Sequence, residues 1–200
     1  MAKSIKNEIK RKAIHLAALS IPIGYSFLDK KTALFWVALC TVISALIDIL
    51  RSENRAIRIL FFKFFRDMLR HKEKYNFTGA TFILFGSTLT LLFYNKWFAI
   101  IAVTYIIVGD VFAAIIGKSF GKHRIYGSGS IEGSIAFFIS AALFTSLMFW
   151  VPYEIVPIYY RILGAVLAAA IELVINQVDD NLTVPLLTGL VLQFALSGRL

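Results

Sequence analysis

The sequence predicts an all-α, polytopic integral membrane protein, and three observations carry that prediction. Apolar residues make up 58% of the 200-residue chain and its mean hydropathy is +0.75, whereas soluble domains hold about 45–50%. The apolar residues come in long runs, parted by short polar turns such as Asp29-Lys30-Lys31 and Tyr94-Asn95-Lys96. Cations, finally, gather in alternate connections, as they do around membrane helices.

A spanning helix needs about 20 apolar residues, and the runs divide into about seven candidates, at 14–28, 32–50, 78–94, 97–116, 133–151, 158–175 and 182–196. The first is short and broken by Pro22 and Gly24. Turns this tight make antiparallel neighbours. Between the second and third runs, residues 51–75 set cations among Ile57, Leu60, Phe61, Phe64, Phe65, Met68 and Leu69, an i, i+3, i+4 stripe. This is an amphipathic helix, lying in the interface with basic flanks on anionic headgroups or packed on the domain from the cytoplasm.

Orientation follows from the cations. With the N-terminus inside, the cytoplasmic connections hold 16 of the 21, and the outer face keeps only Lys30, Lys31, Lys96, Arg161 and Arg199. The topology is N-in, C-out. No linker, repeat or low-complexity segment divides the chain, so residues 1–200 form one membrane domain. The net charge of +9 fits a membrane surface better than nucleic acid, because the cations sit at helix ends rather than on a soluble face. Cys40 is the single cysteine and lies in an apolar run, which excludes a disulfide framework and a cysteine zinc site. The basic start resembles that of a signal peptide, but no small-residue cleavage site follows it.

Chemistry concentrates between the fourth and fifth runs. Asp110 stands near the end of one apolar helix. A loop with Gly117, Lys118, Gly121, Lys122, His123, Arg124, Tyr126, Gly127, Ser128, Gly129 and Ser130 follows, and Glu132-Gly133-Ser134 opens the next helix. Glycines let backbone N–H groups approach a polyanion and lysines add point charge, while carboxylates beside phosphate make sense with a divalent cation between them. Asp110 and Glu132 thus point to Mg²⁺. A basic cytoplasmic turn would have the same composition.

Acids in apolar helices cost roughly 2.5–3.5 kcal/mol at a helix centre and need a partner or a purpose. Asp48 has Arg51 one turn on, whereas Asp110 and Glu172 have no cation within four residues. Asp179-Asp180-Asn181 opens the last helix, as caps or as metal and ribose contacts. His15 shares a helical face with Arg11 and is structural or a phosphate contact. Thr78-Gly79-Ala80-Thr81 is small-residue packing or a helix N-terminus that approaches phosphate.

The run Gly109-Asp110, Gly117-Lys118, Gly121-Lys122 and Ser130-Ile131-Glu132-Gly133-Ser134 resembles the signature loop of the CTP-dependent lipid-alcohol kinases: dolichol kinase, phytol kinase and the CTP-dependent diacylglycerol kinase. It is similar, more distantly, to phosphatidate cytidylyltransferase. Further blocks match in order: Arg11-Lys12 with His15, Asp48 with Arg51, Thr78-Gly79-Ala80-Thr81, Glu172, and Asp180 through Leu186. One departure stands out: relatives carry Lys-Ser where this chain has Gly129-Ser130, so that lysine's work falls to Lys122 or Arg124 or is left undone.

The resemblance implies γ-phosphoryl transfer from CTP to a lipid alcohol (a polyprenol or dolichol, a phytol-like alcohol or diacylglycerol) at the cytoplasmic face of a prokaryotic cell membrane. Asp110, Glu132 and Lys122 are the expected catalytic residues, with Asp110 as base or metal ligand. Asp110, Glu132, Glu172 and Asp180 are expected on Mg²⁺. Gly117, Lys118, Gly121, Lys122, Ser130, Gly133, Arg11, Lys12, His15, Arg51, Thr78 and Asn181 are expected on the nucleotide. Two alternatives remain: a lipid-phosphate cytidylyltransferase, whose second acidic signature is missing, and a small transporter, against which the one-sided acids and the lack of a repeat count.

Overall fold

A computed structural model describes residues 2–65, 69, 73, 76–124, 129–175 and 178–199. Met68 and Tyr75 of the amphipathic stretch, and Tyr126, Gly127 and Ser128 of the glycine-rich connection, lie outside the described residues. Within them the chain is helical, its one extended pairing being an isolated bridge between Arg124 and Ser130. The helices are α1 (Ala2–Ala17), α2 (Ser20–Phe27), α3 (Lys30–Glu53), α4 (Arg55–Phe65), α5 (Gly79–Phe93), α6 (Lys96–Phe120), α7 (Ile131–Ser146), α8 (Ile158–Val174) and α9 (Asp180–Leu196).

The starts have local causes. Side chains of Asp29, Thr78, Ser130 and Asp179 accept from the N–H groups of Thr32, Thr81, Gly133 and Asn181, which opens α3, α5, α7 and α9. Asn54 accepts from Ala56 and Ile57 and so ends α3 and starts α4.

Among the described residues, only α3 and α6 are long and apolar enough to cross a membrane by length and composition. The other expected spans are helices of 8 to 17 residues. Seventeen residues rise about 26 Å, short of a hydrocarbon core of about 30 Å. The first expected span is divided: α1 stops at Ala17, and α2 begins at Ser20 with Pro22 in its first turn, where a missing N–H costs no helical bond. The amphipathic segment is shorter than expected, because Arg51 still belongs to α3 and Asn54 interrupts. The fifth span ends early for a different reason. Arg161, fully buried at the start of α8, donates to the carbonyls of Thr145, Met148, Val151 and Val156 at 2.7–3.1 Å and holds the chain after α7 in turns.

α6 is the centre. Phe98 through Val108 are buried without a break, and α1, α2, α5, α7, α8 and α9 all pack on this helix. Gly109 lets α7 close in, for a Cβ there would overlap the Phe137 ring. α3 stands outside, against α5 and α4, and most of its length is exposed. Exposed Phe35, Trp36, Phe93, Leu143 and Phe194 give the bundle an apolar exterior.

One network joins α3 to α5. Asp48 accepts from Arg51 Nε at 2.8 Å, from Thr78 N at 2.8 Å, from Thr78 Oγ1 at 3.1 Å and from Thr81 Oγ1 at 2.6 Å. Arg51, fully buried, also donates to the carbonyls of Glu73 and Asn76 at 2.8 and 2.6 Å, and Phe61 lies under its guanidinium. A buried ion pair of this kind leaves an uncompensated charge when one member is removed. Asp48→Ala is expected to destabilise the fold by about 3–5 kcal/mol, and Thr81→Val by about 1 kcal/mol, both read as loss of denaturant resistance in detergent.

Candidate functional site

Two helices that are far apart in sequence bring charge together. On α1, Glu8 and Lys12 lie one turn apart on one face; on α6, Asp110 and Lys118 lie about two turns apart. Lys12 pairs with Asp110, and Glu8 pairs with both Lys118 and Arg11. The signs cross: acid meets base at each step only when the helices run antiparallel in this register. Lys12 and Glu8 are buried, so these pairs are better shielded from salt than surface ones. His15 continues the α1 face, its Nε2 3.4 Å from Asp110 Oδ2 and buried without a hydrogen bond.

These groups stand at one end of a cavity of about 550 Å³ between α1/α2 and α3/α5. Arg11, Lys12, His15, Asp110, Glu73 and Asn181 give it a polar end, and Tyr25, Ala33, Trp36, Val37, Cys40 and Ile83 an apolar length. The Asp48 network forms the wall by Thr78. Buried polar atoms are nearly always paired, yet among the described residues His15 Nε2, Tyr25 Oη and Asn181 Oδ1, on cavity-lining residues, are not, and neither is Ser87 Oγ of α5, which lies off the cavity. Unmet polar capacity therefore sits on the walls of this cavity.

The expected nucleotide and metal residues fall into three groups. Arg11, Lys12, His15, Asp110 and Lys118 form the α1–α6 cluster. Glu172 of α8 belongs beside it, with Asp180, Asp110 and Lys12 within electrostatic range. Among the described residues no three His, Cys, Asp or Glu side chains form a metal-binding group, so the four expected carboxylates do not gather as one cage. Mg²⁺ is commonly held by one or two carboxylates with substrate phosphates completing its shell, and the oxygen donors of Asp110, Glu172 and Asp180 fit that use.

The second group is the connection from α6 to α7, which differs from its expected form. Gly117, Lys118 and Ser119 are the last turn of α6 and not a loop. Gly117, Gly121 and Gly133 face Ser130 or one another where α6 meets α7, and a Cβ at Gly133 would lie 3.1 Å from the Ala113 carbonyl oxygen. Close helix contact is thus reason enough for these glycines. Ser130 is buried and caps α7 by accepting from Gly133 N at 3.1 Å. Glu132 meets His123 at 2.8 Å at the surface, and Lys122 is exposed beyond the end of α6.

The third group is structural in its contacts. Arg51 and Thr78 are bound into the Asp48 network, and Asn181 Nδ2 donates to the cap residue Asp179 at 2.7 Å. Glu8 and Glu73 escaped the sequence reading. Glu8 is the lone acid among five cations at the N-terminus and three residues before Arg11, which was a usable signal. Glu73, which accepts from Gly79 N at 3.2 Å in the cavity wall, carried none.

No family model and no solved structure matches the chain. The uncharacterized protein RP860 of Rickettsia prowazekii is 31% identical over 186 residues, covering 90% of each chain. The chain belongs to that protein's family. The uncharacterized protein MJ1137 of Methanocaldococcus jannaschii is 29% identical over 92% of each chain. More distant is CTP-dependent diacylglycerol kinase 1 of Saccharomyces cerevisiae, 24% identical over 92% of this chain and 72% of the yeast protein. The similarity to a lipid kinase is therefore distant but runs through nearly the whole chain.

Two outcomes follow. The hydrogen bond from His123 holds the Glu132 carboxyl down at about 2. A depressed acid contributes its full stability above its unfolded value and loses it as pH falls toward the folded one. Thermal unfolding followed from pH 5 to pH 2 should thus show a decline, of which Glu132→Gln removes a small part. In the N-terminal cluster, Glu8→Ala leaves Lys118 without its α1 partner, and faster trypsin cleavage at Lys10, Arg11 and Lys12 is the expected result.

Proposed function

We propose that this chain is a multi-pass membrane enzyme that transfers the γ-phosphate of CTP to the hydroxyl of a lipid alcohol. The observation that carries this reading is the cavity, which joins an apolar length to the Lys12–Asp110–His15 cluster. An amphiphile with a reactive hydroxyl matches both parts. The named kinase among the relatives acts, by its name, on diacylglycerol with CTP. The cations at the Asp110 end fit a cytoplasmic placement of that end.

Phosphoryl transfer depends mostly on positioning and charge stabilisation. The alcohol's hydroxyl sits against Asp110, whose carboxylate or the neighbouring His15 Nε2 accepts its proton. The hydroxyl oxygen forms a bond to the γ-phosphorus as the bond to the β,γ-bridging oxygen breaks, and CDP leaves. Arg11 and Lys118 face the nucleotide once phosphate replaces Glu8 as their partner. Asp110 with Glu172 or Asp180 would hold Mg²⁺, which would supply positive charge beside the phosphates. Lys122, on the exposed side of the connection to α7, adds a further cation for the leaving diphosphate.

The test is purified protein in lipid vesicles with Mg²⁺, a panel of polyprenol, phytol-like and diacylglycerol acceptors, and CTP labelled at the α or the γ position. Only the γ label should reach lipid. Transfer of the α label would make the protein a cytidylyltransferase. Asp110→Asn should lower kcat by about 10²–10⁴-fold, the span of a general base, and an unchanged kcat would remove Asp110 from that role.

A further inference from the structure

The cavity is closed at its back and open along one side. Tyr25, Ala33 and Ile83 line its apolar length and are at most 4% exposed, and Lys12, Asp48 and Glu73 at the polar end are buried as well. Ile14 and Leu28 on the α1/α2 side and Trp36 and Ile47 on α3 also line it, yet they are 38–55% exposed, and Cys40 between the last two is exposed too. A residue that faces a cavity and the exterior at once stands on a rim. From Trp36 to Ile47 this rim follows α3 for eleven residues, about 16 Å at 1.5 Å per residue. The opening is a slit between α1/α2, which pack chiefly on α6, and α3, which packs on α5 and α4.

The slit faces hydrocarbon rather than water. α3 carries no charged residue from Thr32 to Ile47, and Phe35, Leu39 and Ile43 beside the rim are exposed. On the proposed-function reading, we infer that the acceptor is a lipid held by its head alone: its hydroxyl lies at the Asp110 end, and its chain leaves sideways through this slit into the bilayer. A bilayer solvates a hydrocarbon chain as well as an apolar groove does, so the chain gains little by being enclosed. Selection rests on the head, and chains of different length are accepted alike.

Trp36 on the rim reports on what passes it. The full-length protein in phosphatidylcholine vesicles is given dibrominated octadecanol or dibrominated diacylglycerol, whose bromines quench tryptophan on contact, and dibrominated phosphatidylcholine at the same mole fraction sets the background. At least one of the two hydroxyl lipids should quench severalfold more than the background. That excess should saturate, be displaced by unbrominated alkanols, and disappear in Trp36→Phe, a change at an exposed position. Alkanols from dodecanol to eicosanol should displace it at mole fractions within about twofold of one another, since the bilayer receives every tail equally well. Quenching no greater than the background, an excess that survives in Trp36→Phe, a sharp chain-length cut-off, or stronger quenching of Trp36 by aqueous iodide than by the brominated lipids would each overturn the inference. The expected excess without transfer of the γ label would support the side opening while removing the kinase reading, and transfer without the excess would do the reverse.

Discussion

A carboxylate in the middle of a buried helix has to be answered by a cation, and the arrangement of this protein's N-terminus follows from that requirement. α6 is surrounded by six other helices and carries Asp110 among buried apolar neighbours. An isolated ionised group in such a place is strongly unfavourable, and a partner must come from another element. Lys12 of α1 is that partner. Because Glu8 meets Lys118 farther along the same two helices, the charges also specify direction and register. A shift by one turn would lose the paired charges, and a parallel approach would set like charges together.

This pinning has a consequence for the cavity. α1 and α2 belong to the α6 side, while α3 is held to α5 through Asp48, Arg51, Thr78 and Thr81. One set of pairs holds α1 to α6 and another holds α3 to α5. The cavity's charged end comes from the same contacts, since Lys12 and Asp110, which dock α1 on α6, also line it.

The sequence was informative where a pattern is local. Helix starts at Thr78 and Asp179, the runs of α5, α8 and α9, and the Asp48–Arg51 pair could all be read from spacing and cap residues. Length was overread, because apolar composition continues through residues 147–151 while the helix stops where Arg161 collects its carbonyls. Gly117 to Phe120 look like a loop by composition and are helical, since glycine there serves the approach of α7. Glu73 had no sequence signal at all, for its contacts depend on how the segment before α5 folds back on α3. Distances between helices are not written in periodicity, and the cavity is a property of those distances.

Satisfied and unsatisfied polar groups then separate structure from function in this bundle. Each oxygen of Asp48 has a donor, Arg51 spreads its donors over a carboxylate and two carbonyls, and Arg161 spreads its own over four carbonyls after the end of α7. Such networks fix backbone and leave nothing for a ligand. Around the cavity the balance is reversed: His15, Tyr25 and Asn181 each bury a polar atom without a partner, a state that costs about 1–3 kcal/mol per group. A fold that could have closed over these atoms, and does not, keeps its bonding capacity for something that enters. Asp110 stands between the two cases, paired with Lys12 and 3.4 Å from His15 Nε2. On the proposed kinase reading, an incoming phosphate would take over the cation while the carboxylate turns to a hydroxyl, so that the bond which assembles the site would also be the one exchanged.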